Sequence, residues 1–402
     1  MRKVPKLRFK EFSDEWEEKL YKNIFKINQG LQIAINERFL EPAKNRMFYI
    51  TNEFLKKDSK IKYYIENPPL NVICNKDDIL MTRTGNTGEV VTNVEGAFHN
   101  NFFKINYSKE KFNKYFICSL LKSNKIQKTI LKLAGTSTIP DLNHSDFYRI
   151  KSIFPTLEEQ QKIADFLSSV DKKISLTEEK LELFREYKKG VMQKIFSQEL
   201  RFKDSNGNDY PEWEEKRLGE ILTSKGGKAL EKYSNDDGDY KFISIGNYSE
   251  NSKYLDNGKR VILNDDTKKQ LLKKDDLVMI LNDKTQAGNI IGRVLLIEED
   301  NKYIYNQRSQ KIICNSNFSP KFAYCLFNSN YRNNIIQNAQ GGTQIYINFS
   351  TIENFSINLP TLEEQQKIAD FLSSIDSKIE SIEKELEGLK EFKKGLLQQM
   401  FV

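Results

Sequence analysis

Apolar or near-apolar side chains fall at 163, 167, 170, 174, 177, 181 and 184, and continue at 191 and 195. Steps of four and three alternate, so the positions form one stripe recurring every 3.5 residues, the pattern of a coiled-coil helix. A matching stripe runs through Ile368, Leu372, Ile375, Ile379, Ile382, Leu386, Leu389, Leu396 and Met400. Each segment opens on a threonine, Thr156 or Thr361, with Glu159 or Glu364 three residues on. That spacing predicts a capping box, with acidic side chains at the positive end of the helix dipole. Forty helical residues reach about 60 Å, beyond one small domain. Two stripes of equal register and length are expected to bury against each other, most economically antiparallel. The expected pairing residues are Ile163, Leu167, Val170, Ile174 and Leu181 on the first helix, and Ile368, Leu372, Ile375, Ile379 and Leu386 on the second. The alternative is that each helix packs only on its own globular domain.

Outside these segments the apolar runs are short and bounded by turn residues, which predicts strands. They lie at 48–51, 72–74, 79–82, 89–94 and 102–107, and then at 241–245, 277–281, 290–297 and 310–314. A helical pair follows each set, at 112–133 and 320–337. The expected fold is α+β: two mixed α/β domains separated by two long antiparallel coiled-coil helices, with pseudo-twofold symmetry. The expected boundaries are 1–154, 155–198, 199–359 and 360–402.

Duplication underlies this division. The fifteen residues PTLEEQQKIADFLSS at 155–169 recur unchanged at 360–374, and Lys-Lys-Gly at 188–190 recurs at 393–395. Upstream, LRFK occurs at 7–10 and 200–203, and EWEEK at 15–19 and 212–216. The intervening text is related more faintly, as in Asp77-Asp78-Ile79-Leu80-Met81 against Asp275-Asp276-Leu277-Val278-Met279. The chain is a unit written twice, a variable globular domain followed by a constant helix.

The variable parts carry the candidate chemistry. Arg83-Thr84-Gly85-Asn86-Thr87-Gly88 and a later loop with Thr136, Ser137 and Thr138 are answered in the second half by 282–289, with Lys284, Thr285 and Gln286, and by Gly341-Gly342 followed by Thr343 and Gln344. Short polar side chains on glycine-flexed backbone suit phosphate contacts through N–H groups. Arg, Lys, Asn and Gln can also make bidentate contacts to base edges. The bland alternative is a set of plain hairpin turns, against which stands their recurrence at matching positions.

Composition narrows the field. With 402 residues, 63 basic and 56 acidic side chains and a net charge of +7, the chain permits an anionic partner without requiring one. Only two histidines are present, His99 and His144, and four scattered cysteines form no C-x-x-C pair, so neither histidine catalysis nor a metal or disulfide framework is indicated. No stretch approaches a membrane span, and a cytoplasmic location is expected. Asn67-Pro68-Pro69-Leu70 approaches an adenine-methyltransferase motif but ends in Leu where a stacking ring is needed. Gly226-Gly227-Lys228 reads as a turn, and His144 near Asp146 as a loop hydrogen bond.

Leu-Pro-Thr-Leu-Glu-Glu-Gln-Gln-Lys-Ile-Ala at 359–369 and Lys-Lys-Gly-Leu-Leu-Gln-Gln-Met-Phe at 393–401, alternating with two variable domains, resemble the specificity (S) subunit of type I restriction–modification enzymes over essentially the whole chain. The resemblance implies a non-catalytic protein of phage defence with no metal or cofactor of its own. It implies that each target-recognition domain reads one half of a bipartite site in double-stranded DNA while the helices fix the spacer. It also implies that the helices dock two methyltransferase subunits carrying S-adenosylmethionine, and that two ATP- and Mg-dependent restriction subunits join, with no membrane partner. The DNA-contacting residues would then be Arg83, Thr84, Asn86, Thr136, Ser137 and Thr138 for one half-site, and Lys284, Thr285, Gln286, Thr343 and Gln344 for the other. Two further classes remain: a free-standing DNA-binding regulator, and a self-sufficient enzyme, against which the lack of a cofactor loop argues.

Overall fold

A computed structural model describes residues 4–56, 58–135, 138–235 and 237–401. The chain divides into two compact units, Met1–Glu179 with Lys384–Val402, and Lys180–Glu383. Each long helix, Leu157–Phe196 and Leu362–Met400, contributes a part to each unit. No helix among the described residues is long and apolar enough to cross a membrane.

In the first unit an antiparallel sheet runs in the order Lys26–Gln29, Phe102–Asn106, Ile79–Thr82, Val90–Val91. A second sheet orders Tyr63–Glu66, Arg46–Ile50, Gly96–Phe98 and Ile73–Cys74, with Arg46–Ile50 parallel to Gly96–Phe98. Strand Ile79–Thr82 is buried at every position, because both of its faces are covered. Ile79 and Met81 join the core that includes Phe116 and Ile130, while Leu80 joins Ile50 and Phe98 in another cluster. The second unit repeats the plan, with Leu222–Gly226, Ser309–Cys314, Leu277–Ile280 and Val294–Leu296 in one sheet. Its other sheet orders Arg260–Val261, Tyr240–Ile243 and Tyr303–Tyr305, the last two parallel.

The long helices run antiparallel within each unit. In the first, Asp171 pairs with Lys393 and Glu178 with Lys390; in the second, Arg185 pairs with Glu383 and Lys188 with Asp376. Pairing and packing on the globular domain, framed as alternatives above, occur together. Ile163, Leu167 and Val170 share one core with Leu396, Met400 and Phe401 and with Trp16, Phe116 and Phe154. Leu181, Ile368, Leu372, Ile375 and Ile379 are likewise buried, and Ile174 and Leu386 are half-buried. These stripes therefore serve contacts within the chain.

The duplicated text has a local physical role. Thr156 and Thr361 accept from the N–H of Glu159 and Glu364 at 3.4 and 3.3 Å, but the reciprocal half of the expected capping box is replaced. The Glu159 carboxylate instead binds Arg8 at 2.7 and 2.8 Å, and that of Glu364 binds Arg201 at 3.2 and 3.0 Å. The arginine is the one in each LRFK. Gln160 accepts from the N–H of Asn113, which N-caps helix Lys114–Lys122, and donates to the carbonyls of Lys111 and Pro155. Gln365 repeats this with Ser319, Asn317 and Pro360. The EWEEK repeat supplies a tryptophan and a strand: Trp16, buried, and Trp213, half-buried, pack on Phe116 and Phe322, while Glu17–Leu20 and Glu214–Arg217 pair with Lys151–Phe154 and Ser356–Leu359, just before each long helix.

Several local expectations require correction. The helical pairs expected at 112–133 and 320–337 need none, being Lys114–Lys122 with Asn124–Ala134 and Pro320–Phe327 with Arg332–Gln337. The strands expected over 89–94 and 290–297 shrink to Val90–Val91 and Val294–Leu296, since Gly292, at φ +75°, turns the chain just before the second. Gly226-Gly227-Lys228 is no turn. Gly227 follows a strand and passes so close to Asn306 that a Cβ would meet its carbonyl oxygen at 1.9 Å; Gly30 has the same role against Phe98. His144 makes no bond to Asp146, whose carboxylate takes Asn143 and Arg149; the imidazole lies against the Phe103 ring instead.

Candidate nucleic-acid interface

In the first unit the residues following strand Ile79–Thr82 fold back on themselves. Gly85 and Gly88, at φ +88° and +93°, supply the left-handed turns. Buried Thr82 anchors the loop from below, its hydroxyl accepting from Glu89 N–H at 2.9 Å and donating to the Asn86 carbonyl. Gln127, on helix Asn124–Ala134, holds the Gly88 carbonyl at 2.8 Å, and Asn52 holds that of Thr84 at 3.1 Å. The second candidate loop comes to meet the first: Thr84 bridges to Asp141, Leu142 N–H donates to the Arg83 carbonyl at 2.9 Å, and Thr87 donates to the Pro140 carbonyl at 2.7 Å.

Arg83 has a specific place here. Its guanidinium binds the Asp141 carboxylate at 2.5 Å, with Thr84 on the other oxygen of the same carboxylate, and it lies over the Phe103 ring at 5.7 Å. Its side chain is 17% exposed, so it clamps the two loops together. Burial and the Arg83 charge hold the His144 imidazole below the usual histidine range. Asn86 and Thr138 are exposed and Thr84 half-buried; Thr136 and Ser137 lie outside the described residues.

The second unit reaches the same juxtaposition by other bonds. Asn282–Asp283 pairs antiparallel with Ile345–Tyr346, which sets Lys284, Thr285 and Gln286 beside Thr343 and Gln344. All five side chains are exposed. Beneath them the buried Asp283 carboxylate accepts from the N–H groups of Thr285 and Ile290 at 3.1 and 2.8 Å. Arg332 holds the carbonyls of Gly288 and Ile291 at 2.8 and 2.9 Å. Gly341, at φ +116°, would set a Cβ 2.2 Å from the Gln344 carbonyl oxygen. The bracing residues Gln127, Asp141, Asp283 and Arg332 escaped the sequence reading, since nothing local marks them. Exposed Tyr346, a ring beside the polar loops, was marked only by its position after Gln344.

Each unit thus presents two loops of short polar side chains on a rigid base, an arrangement suited to hydrogen bonding along an extended polar ligand. A family model described as the type I restriction modification DNA specificity domain matches the chain twice, over residues 13–183 and 210–391. The chain belongs to this family. The specificity subunit of the MjaVIII type I restriction enzyme from Methanocaldococcus jannaschii is 28% identical over 361 residues, covering 87% of this chain and 84% of that one. The HindI specificity subunit from Haemophilus influenzae is 31% identical over 139 residues, covering 33% and 29%. Among solved structures, the S subunit of a type I restriction–modification system from M. genitalium superposes with a TM-score of 0.58 at 18% identity, over 99% of both chains. The two matched stretches are the two halves of the repeat, so this type I specificity subunit carries its specificity domain twice.

Proposed function

We propose that this specificity subunit reads an asymmetric bipartite site in double-stranded DNA, one unit per half-site. The observation that carries the proposal is the pairing of candidate loops in each unit on equivalent scaffolds with unlike side chains: Arg83, Thr84, Asn86 and Thr138 in one, and Lys284, Thr285, Gln286, Thr343 and Gln344 in the other. Equal scaffolds with unlike contents select unlike sequences. The long helices set the separation of the half-sites, as half-site spacing follows protein geometry in other two-headed readers. Their duplicated exposed faces receive two methyltransferase subunits, which bring S-adenosylmethionine and flip the adenine. Two restriction subunits supply ATP- and Mg-dependent cleavage, and the chain itself is non-catalytic. A neighbour of TM-score 0.53, 16% identical over 94% of this chain, comes from work on assembly and conformational transition of the type I system, which supports a scaffold role.

Arg83 acts in this proposal as the clamp that aligns one reading head. Arg83→Ala and Asp141→Asn should therefore lower methylation of the target in parallel, by the equivalent of up to about 1 kcal/mol, the most that so exposed an ion pair contributes to holding the loops in place. Chain stability should change by less than about 1 kcal/mol, because the Asp141 side chain is nearly half exposed. Methyl transfer to target duplex by the complex assembled with its methyltransferase measures this. If Asp141→Asn left methylation intact while Arg83→Ala abolished it, Arg83 would be a direct base contact and no clamp.

A further inference from the structure

The second unit contains a cleft of about 620 Å³ between the long helices and the globular domain, lined in part by Lys189, Ser252, Arg293 and Arg332. Three cations of its wall are neutralised: Arg185 by Glu383, Lys188 by Asp376, and Lys253 by Glu380. Arg293 and Arg332 are not. Among the described residues Arg293 reaches only the Asn289 carbonyl and the Ser252 hydroxyl, both at 3.3 Å, and Arg332 only the two loop carbonyls. The carboxylates whose fields they feel are engaged elsewhere, Glu250 by the Asn289 amide and Asp283 by the loop it braces. Burial pulls both guanidiniums below the usual arginine range, Arg332 to about 10, with the Arg293 charge adding to the effect. Two half-buried, mutually repelling guanidiniums without a bonded anion are costly to keep.

The first unit shows that the fold does not require them. There the Gly88 N–H donates to Thr82 and the Thr82 N–H to Glu89, while in the second unit the Gly292 N–H donates to Ile280 and the Ile280 N–H to Arg293. Glu89 thus stands where the second unit has Arg293, and Gln127, which holds the Gly88 carbonyl, serves the loop that Arg332 serves in the second unit through the Gly288 and Ile291 carbonyls. A carboxylate and an amide in one copy are replaced by two guanidiniums in the other.

We infer that this cleft binds a phosphate-class oxyanion through Arg293 and Arg332. The guanidinium fork matches such an anion, and Lys189 adds charge at the wall. Because Arg332 also holds the Gly288 and Ile291 carbonyls, the bound anion stiffens the loop that carries Lys284–Gln286. The same chemistry is offered by a backbone phosphate of DNA and by a free phosphate ion.

The test uses the whole chain in complex with its methyltransferase, and inorganic phosphate as probe, followed by ³¹P line broadening and by thermal midpoint against chloride at equal ionic strength. Phosphate should bind and raise the midpoint, and Arg293→Gln should weaken it at least about ten-fold. Lys189→Gln, at an exposed position where folding is not at stake, should weaken it less. A target duplex then separates the sources. If the natural ligand is a DNA phosphate, saturating duplex displaces inorganic phosphate, and Arg293→Gln lowers the salt slope of duplex binding by about one. If it is the free ion, phosphate binds equally well with duplex present. Phosphate acting no better than chloride, or binding Arg293→Gln as well as the parent, would overturn the inference. The phosphate arm involves no DNA, so it fails separately from the proposed reading of a bipartite site.

Discussion

Replacing Leu167 and Leu372 together by aspartate should abolish cooperative unfolding of the chain. Both leucines are 0% exposed. Truncating such a residue to alanine costs about 2–5 kcal/mol, and an unpaired carboxylate buried in its place adds several more. Two such changes, one in each unit, exceed the 5–15 kcal/mol that typically separates folded from unfolded. Far-ultraviolet circular dichroism through a guanidinium titration measures the result. Leu176→Asp, at an exposed position on the same long helix, should shift the midpoint by less than about 0.5 kcal/mol. A cooperative transition in the double variant within about 1 kcal/mol of the parent would mean that the stripe is not the seam joining helix and domain.

The next largest effect is expected at the arginine–glutamate lock. Glu364 is 0% exposed and its carboxylate takes Arg201 twice and the Trp213 indole N–H, at 3.0–3.2 Å. Arg201→Ala leaves that charge buried with only the indole N–H, which costs about 3–5 kcal/mol. Adding Glu364→Gln removes the orphaned charge and should return part of the loss, so the two substitutions are strongly non-additive. Denaturant midpoints of the single and double variants report the coupling. If Arg201→Ala kept the parent midpoint, the duplicated LRFK would need an explanation other than fastening the helix. Arg8 and Glu159 should behave alike in the first unit, where Trp16 packs in the same place but its indole N–H has no partner among the described residues.

How much of this was legible follows from what each element depends on. The long helices were, because their stripe is periodic and the structure buries the side chains in that stripe. Central strands such as Ile79–Thr82 and Leu277–Ile280 were, because burial on both faces makes them continuous apolar runs. Lys26–Gln29, Glu17–Leu20 and Glu214–Arg217 were not. They are polar, and only a partner strand distant in sequence makes them strands. The candidate loops were visible as glycine-flanked polar text, yet their bracing by Asp141, Gln127, Asp283 and Arg332 depends on contacts across tens of residues. Arg83 shows the limit most clearly. Its residue type and position pointed to base contact, while the structure gives its charge to Asp141. The duplicated Glu-Glu-Gln-Gln changes meaning in the same way. It reads as a helix opening, but one glutamate and one glutamine of each copy are buried and spent on locking helix to domain.

The central claim is that the two halves read different sequences, and the most direct measurement is the genome-wide methylation pattern in a host expressing this chain with its methyltransferase. The account predicts a single motif of two unlike half-sites separated by unspecified bases. A continuous palindromic motif would contradict it.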